Sequence, residues 1–213
     1  MLKTLVVAVV AFSAAALSAG TAFPASTAPP AGLPGCEVAE RPAPNSDYSE
    51  WASTLLDPSF TLGRDYEPPE LRTARAAGQQ VTLREFVIGP LRSLLSAAAG
   101  DGAEVYITSS YRSYGDQARL VASNPDSEDE VARAGHSEHQ LGTAVDLGGD
   151  TDWLRENAPR FGFALSYPAD RSPQWTCYRA EPWHFRYFGP ERAQLIETSV
   201  FSPREWLWLL AGR

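Results

Sequence analysis

The chain has 213 residues, 44% hydrophobic and 21% charged, with a net charge of −8 and a sequence pI near 4.9. That length favours one domain plus terminal extras, and the composition is that of a globular protein with a core. The acidic balance gives no support to nucleic-acid binding, which needs a basic face, so no nucleic-acid partner is expected.

Lys3 is the only lysine, and it precedes an apolar run from Leu5 to Leu17 followed by small residues, Ser18 to Ala22. A basic start, a short apolar core and small residues near a cleavage point are the anatomy of a secretory signal, assigned here to residues 1–25. The run falls short of the ~20 residues a comfortable membrane span needs. An exported chain without a membrane span after cleavage is therefore expected, with an uncleaved N-terminal anchor as the alternative. Residues 26–46 are rich in Pro, Ala, Ser and Thr and read as a linker. The folded domain is placed at 47–213. Two cysteines, Cys36 and Cys177, suggest a disulfide in an exported chain. The competing reading of Leu33-Pro34-Gly35-Cys36 as a lipoprotein box suffers from its distance from the apolar run and its internal proline.

Further along, Leu83 to Ala98 carries apolar residues at helical spacing, with Thr82 and Glu85 as a capping pair and Pro90 as a point of kinking. Glu104 to Thr108 alternates like a strand after the turn at Gly100 to Gly102. Tyr114 to Ser123 reads as a helix, Asn124 to Glu130 as an acidic loop, and Thr143 to Leu147 as a second strand. A helix over Asp152 to Phe161 stops at Gly162. His184 to Tyr187 reads as a strand, Pro190 to Thr198 as a helix, and Ser202 opens a last amphipathic helix through Leu210. Strands mixed with helices, without regular alternation, indicate α+β.

The three histidines, His136, His139 and His184, lie in two short polar segments, Gly135 to Asp146 and Glu181 to Arg186. A metal site with an open position needs a few converging N or O donors, commonly His with a carboxylate. If Thr143 to Leu147 is a strand, Asp146 shares a face with the small Ala144 and Gly142, leaving room for an ion, and His139 lies one loop earlier. A hydrogen-bonded loop histidine and a capping aspartate are the plainer reading of that pair. In the second segment Glu181 stands three residues before His184, where a carboxylate can serve as general base beside a metal-activated water. A surface pair of Glu181 with Arg186 is the plainer reading there. His136 is a rival ligand, since it could share a helical face with His139.

Together these residues resemble a known family. Ser137-x-His139-x-x-Gly142-x-Ala144-x-Asp146 with Glu181-x-Trp183-His184 is similar to the paired signature of zinc D-alanyl-D-alanine carboxypeptidases of the vancomycin-resistance type, grouped with lysostaphin-like peptidases and hedgehog amino domains. Ser109 to Ser113 with Gln117 resembles the family's upstream motif, and Trp153-Leu154, Gly162-Phe163, Tyr167-Pro168 and Tyr187 to Gly189 follow in its order. The resemblance runs from about Tyr66 to Leu210 and implies a small antiparallel sheet carrying the zinc site, flanked by helices. It implies one zinc ion on His139, Asp146 and His184, with Glu181 as the base and Arg112 binding the substrate carboxylate or the developing oxyanion. Ser137 and Gln117 would hydrogen bond substrate, and His136 would stand behind the ligands or in the pocket wall. The implied reaction is hydrolysis of peptidoglycan peptides ending in D-Ala-D-Ala by a monomer. An endopeptidase of the same family is the alternative. A non-catalytic binding module would be marked by a lost ligand or base, and none is lost. Trp175 to Ala180 departs from the Thr-Gly and aromatic residue that family members often carry before Glu181, in a region that shapes the pocket.

Overall fold

The computed structural model describes residues 30–44, 51–125, 127 and 130–211. The expected signal peptide lies outside the described residues, as do Asp126, Glu128 and Asp129 of the acidic loop. Among the described residues no helix is long and apolar enough to cross a membrane.

The stretch read as a linker is laid against the domain over its described part. Arg41–Pro42 (β1) pairs in parallel with Phe60–Thr61 (β2), and Ala43 is buried beside Leu55, Leu56 and Phe60. Cys36 is joined to Cys177 with a Cα–Cα distance of 5.3 Å. Arg204 fastens the same arm: its guanidinium donates to Asp57 Oδ2 at 2.7 Å and to the Pro34 carbonyl at 2.8 Å. A polar, proline-rich arm is thus held by one covalent link, one short strand pairing and a hydrogen bond from a buried arginine.

A hairpin of Leu71–Ala76 (β3) and Gln79–Arg84 (β4) follows, and it replaces the expected start of the first helix. Val81 and Leu83 alternate inward while Thr82 faces out and shares a hydrogen bond with Thr73 across the ladder. Thr82 is therefore a strand residue and not a cap. The helix itself (α1) runs Glu85–Asp101 and buries Val87, Ile88, Leu91, Leu94, Leu95 and Ala98 along one stripe. It continues through Pro90, whose missing N–H forfeits only the bond to Phe86 in the first turn.

Val105–Ser109 (β5), Ala144–Gly149 (β6), Phe163–Leu165 (β7) and His184–Tyr187 (β8) form one antiparallel sheet in the order β5-β6-β8-β7. Tyr114–Ser123 (α2) follows β5 and is capped by the Ser113 side chain. Thr151–Asn157 (α3) continues as a 3-10 turn over Ala158–Phe161 that stops at Gly162, with φ of 92°. The short helix Pro173–Thr176 (α4), then Pro190–Thr198 (α5) and Pro203–Ala211 (α6) complete the chain. α1 covers one face of the sheet, packing its stripe on Val145, Leu147, Phe163 and Phe185. A second core joins the 55–62 segment to α5 and α6 through Leu55, Phe60, Ala193, Ile196 and Leu207. Mixed helices with a small antiparallel sheet make the fold α+β, as expected.

Candidate metal centre and active site

Strand alternation decides what faces the site. Val145 and Leu147 go into the core under α1, so Asp146 between them points to the opposite face. The β6–β8 register then pairs Asp146 directly with His184, which brings two side chains on one face to within ligand reach. His139 comes from a 3-10 turn, Glu138–Leu141, that opens with the Ser137 hydroxyl accepting from the His139 N–H and ends at Gly142. Gly142 takes φ of 69°, and a Cβ there would press on Leu71, Arg84 and Pro68. This tight exit delivers the chain from His139 into β6 within a few residues.

The three side chains His139, Asp146 and His184 present ligand atoms that all lie within 4.8 Å of one another, the one such group among the described residues. His139 Nε2 is 3.2 Å from Asp146 Oδ2, and His184 Nδ1 is 3.0 Å from Asp146 Oδ1. Each histidine uses its other nitrogen elsewhere. His139 Nδ1 meets the Ser110 carbonyl at 2.7 Å, and His184 Nε2 meets Glu138 Oε2 at 3.1 Å. Two imidazoles with one nitrogen each turned inward, plus a carboxylate, form a donor set that suits zinc and leaves a coordination position open.

Electrostatics follow from burial and proximity. Burial pushes the Asp146 carboxyl up, but the charges and hydrogen bonds of His139 and His184 hold it well below the usual carboxylate range. Burial pulls His139 down. It also works against the His184 proton, yet hydrogen bonds to Asp146 and Glu138 raise that ring to about 10. Glu138 is pushed up by burial and brought down to about 2 by Arg186, His184 and Ser166. Glu181 behaves oppositely. Its burial, with Asp146 and Glu138 nearby, raises it to about 7 against the pull of His184. A carboxyl near neutrality, with Oε2 3.8 Å from His184 Nδ1, is poised to exchange a proton.

Arg112 stands on the other side of the site. Its Nη2 donates to Ser109 Oγ at 2.9 Å and lies 4.0 Å from Asp146 Oδ2, while Nη1 donates to Gln117 Oε1 at 2.7 Å. Gln117 is 1% exposed and its amide nitrogen donates to the Ala132 carbonyl, so both ends are engaged inside the protein. Arg112, Gln117, Ser137, Glu181 and Trp183 line one cleft of about 220 Å³ with the three ligand candidates, and Trp183 is among the most exposed large apolar residues.

Two alternatives from the sequence do not hold. His136 is not in the ligand group; it is buried, with Nδ1 2.8 Å from the Asp57 carbonyl. Arg186 does not pair with Glu181 at the surface. It is wholly buried and donates to Glu138 Oε1 at 2.7 Å. Sequence reasoning assigned no site role to Glu138, Ser166, Tyr167 or Tyr178, of which Tyr167 sits 5.1 Å from the His184 ring. The available signal for Glu138 was its place inside the first motif, beside His139.

The family model described as D-alanyl-D-alanine carboxypeptidase (VanY) matches residues 80–190. A D-alanyl-D-alanine carboxypeptidase of Enterococcus faecalis is 32% identical over 206 residues, covering 81% of this chain and 75% of that relative. Putative carboxypeptidase YodJ of Bacillus subtilis is 28% identical over 71% of this chain, which spans 65% of that relative's length. Among solved structures, the vancomycin-resistance D,D-pentapeptidase VanY from a VanB-type cassette, in complex with Zn(II), is 30% identical with a TM-score of 0.64, covering 74% of this chain and 99% of that one. VanYB in complex with D-alanine-D-alanine is likewise 30% identical, with a TM-score of 0.65 over 74% and 97% of the two chains. A match across the strands and turn that carry the His-Asp-His group, joined to an enterococcal relative at that identity, places this chain in the D-alanyl-D-alanine carboxypeptidase family.

Proposed function

We propose that this chain is a zinc peptidase that removes a terminal D-alanine from peptidoglycan stem peptides. The convergence of His139 Nε2, Asp146 and His184 Nδ1 beside the buried carboxyl of Glu181 carries the reading. His139, Asp146 and His184 would hold a zinc ion, which when bound would supply Lewis acidity to a carbonyl oxygen and to water. Glu181, buried beside the ligand group with Oε2 3.8 Å from His184 Nδ1, accepts the proton of the attacking water and returns it to the leaving amine. Arg112, fixed by Ser109 and Gln117, holds the substrate's terminal carboxylate and offers a permanent positive charge beside the reacting carbonyl. Gln117, with its oxygen on Arg112 and its amide nitrogen on the Ala132 carbonyl, acts through Arg112. Ser137 lines the cleft and shapes the turn that carries His139.

The zinc complex and the D-alanine-D-alanine complex of the family's solved members support both the ion and the substrate class. One zinc per chain, export through residues 1–25, a linker over 26–46 and a monomeric state belong to the same proposal. The endopeptidase alternative is separated by substrate. A free pentapeptide ending in D-Ala-D-Ala should lose D-alanine in a chelator-sensitive reaction, while cross-linked wall should release no new amino termini. Cleavage confined to the cross-linked wall would overturn the carboxypeptidase reading.

A further inference from the structure

The pair Glu138–Arg186 lies outside the cleft chemistry described so far and is costly in isolation. Both side chains are essentially removed from solvent, at 4% and 0% exposure. A buried ion pair seldom adds stability over a well-packed apolar pair, because desolvation consumes the attraction. Its geometry points elsewhere. Glu138 Oε1 takes Arg186 Nη1 at 2.7 Å, and Oε2 takes both Ser166 Oγ at 2.6 Å and His184 Nε2 at 3.1 Å. Arg186 is itself anchored, with Nη2 donating to the carbonyls of Trp51 and Thr54 at 2.9 and 2.8 Å. The carboxylate is therefore held by the donor-only guanidinium of Arg186 and by the Ser166 hydroxyl, and as an ionised carboxylate it can offer His184 only an acceptor.

We propose that Glu138 is the positioning residue for His184: held by Arg186 and Ser166, its carboxylate keeps the His184 proton on Nε2 and so leaves Nδ1 as the nitrogen that meets the metal. One 3-10 turn then sets two ligands at once, since His139 enters the site from the front while Glu138, its neighbour in sequence, steadies the other histidine from behind. The two ligand histidines work in opposite tautomers. His139 carries its proton on Nδ1, donated to Ser110, and His184 on Nε2, donated to Glu138. The 51–54 segment becomes part of the metal site's support through Arg186.

This inference rests on the reading of His184 as a zinc ligand, and the test separates the two. The chain has three histidines, so ¹⁵N-imidazole correlation spectra of the intact zinc-loaded protein resolve each ring. The expected spectrum shows His184 protonated on Nε2 and metal-bound through Nδ1, with His139 the reverse. In Glu138→Gln the amide oxygen goes to Arg186 and the NH₂ turns to His184, which favours the wrong tautomer. Zinc affinity by chelator competition should then fall 10–100-fold, roughly the range seen when such outer partners are lost. Ser166→Ala, a milder change, should weaken zinc by a smaller factor and keep the fold. Failure of the wild type to bind zinc would defeat the reading of the site itself. Zinc binding with His184 protonated on Nδ1, or Glu138→Gln binding zinc within twofold of wild type, would overturn the role of Glu138 alone.

Discussion

Replacing Glu181 with glutamine should make the chelator-treated protein more stable, by an amount that grows as pH rises from about 4.5 to about 7. Glu181 is 7% exposed, and burial lifts its carboxyl to about 7 from the ordinary 4.5. For a carboxyl raised in the folded state, the sign runs against folding as pH rises. Below pH ~4.5 the group is neutral in both states and costs nothing. Between ~4.5 and ~7 the unfolded chain ionises while the folded chain holds the proton, and above ~7 the full penalty is present. That gap corresponds to about 3 kcal/mol. Glutamine keeps the shape without the charge, so Glu181→Gln should gain about that much at pH 8 and nothing at pH 4. For a domain of this size the gain is a rise in Tm of about 6–12 °C. Calorimetry of both proteins in excess chelator at the two pH values measures it. Equal Tm values at pH 8, or a variant less stable there, would refute the claim that the base is held ionised at the expense of the fold.

Other consequences follow from the same geometry. Since the cation lowers a neighbouring carboxyl, kcat/KM should fall on acidification with a midpoint no higher than about 7, where Glu181 is protonated; an acid limb well above that value would assign it to another group. His184, raised to about 10, must give up a proton to bind metal. Zinc affinity should therefore climb with pH through the neutral range, and a flat titration would contradict it. Arg112→Ala should cut kcat/KM about 10²–10³-fold, as loss of a placed charge-stabilising donor does. Arg112→Lys should not restore it, because a lysine cannot keep both the Ser109 and Gln117 contacts. Joint replacement of Cys36 and Cys177 by serine should lower stability by up to about 4–5 kcal/mol, read as a lower Tm, with zinc content unchanged.

What the sequence showed and hid has physical causes. Asp146 and His184 were legible because strand alternation is local: once Val145 and Leu147 are inward, Asp146 must face the other way. The elements around them, α2, α5 and β8, were legible as short segments with the same bounds, and α5 opens on Pro190, a residue suited to the first helical position. The β3–β4 hairpin was hidden because Leu71 to Ala76 is rich in arginine and turns through Ala77, a residue rarely found at φ of 48°. Thr82 and Glu85 mimic a capping box, and only the ladder partner Thr73 shows that a strand wins. Glu138, although inside the first motif, was given no role for a different reason. Its partners Ser166, His184 and Arg186 lie 28 to 48 residues away, and no local pattern announces a buried carboxylate whose value lies in the register of another strand. The arm around Cys36 likewise owes its order to Cys177 and Arg204, far along the chain.

The most direct test of the whole account sets Glu181→Gln beside the wild type at equal zinc content, on a free pentapeptide ending in D-Ala-D-Ala. Both proteins should bind zinc through His139, Asp146 and His184, the wild type should release D-alanine, and the variant's rate should fall at least about 10²-fold, the lower end of what a placed acid–base group contributes. D-alanine release by the variant at the wild-type rate, with zinc bound, would contradict it.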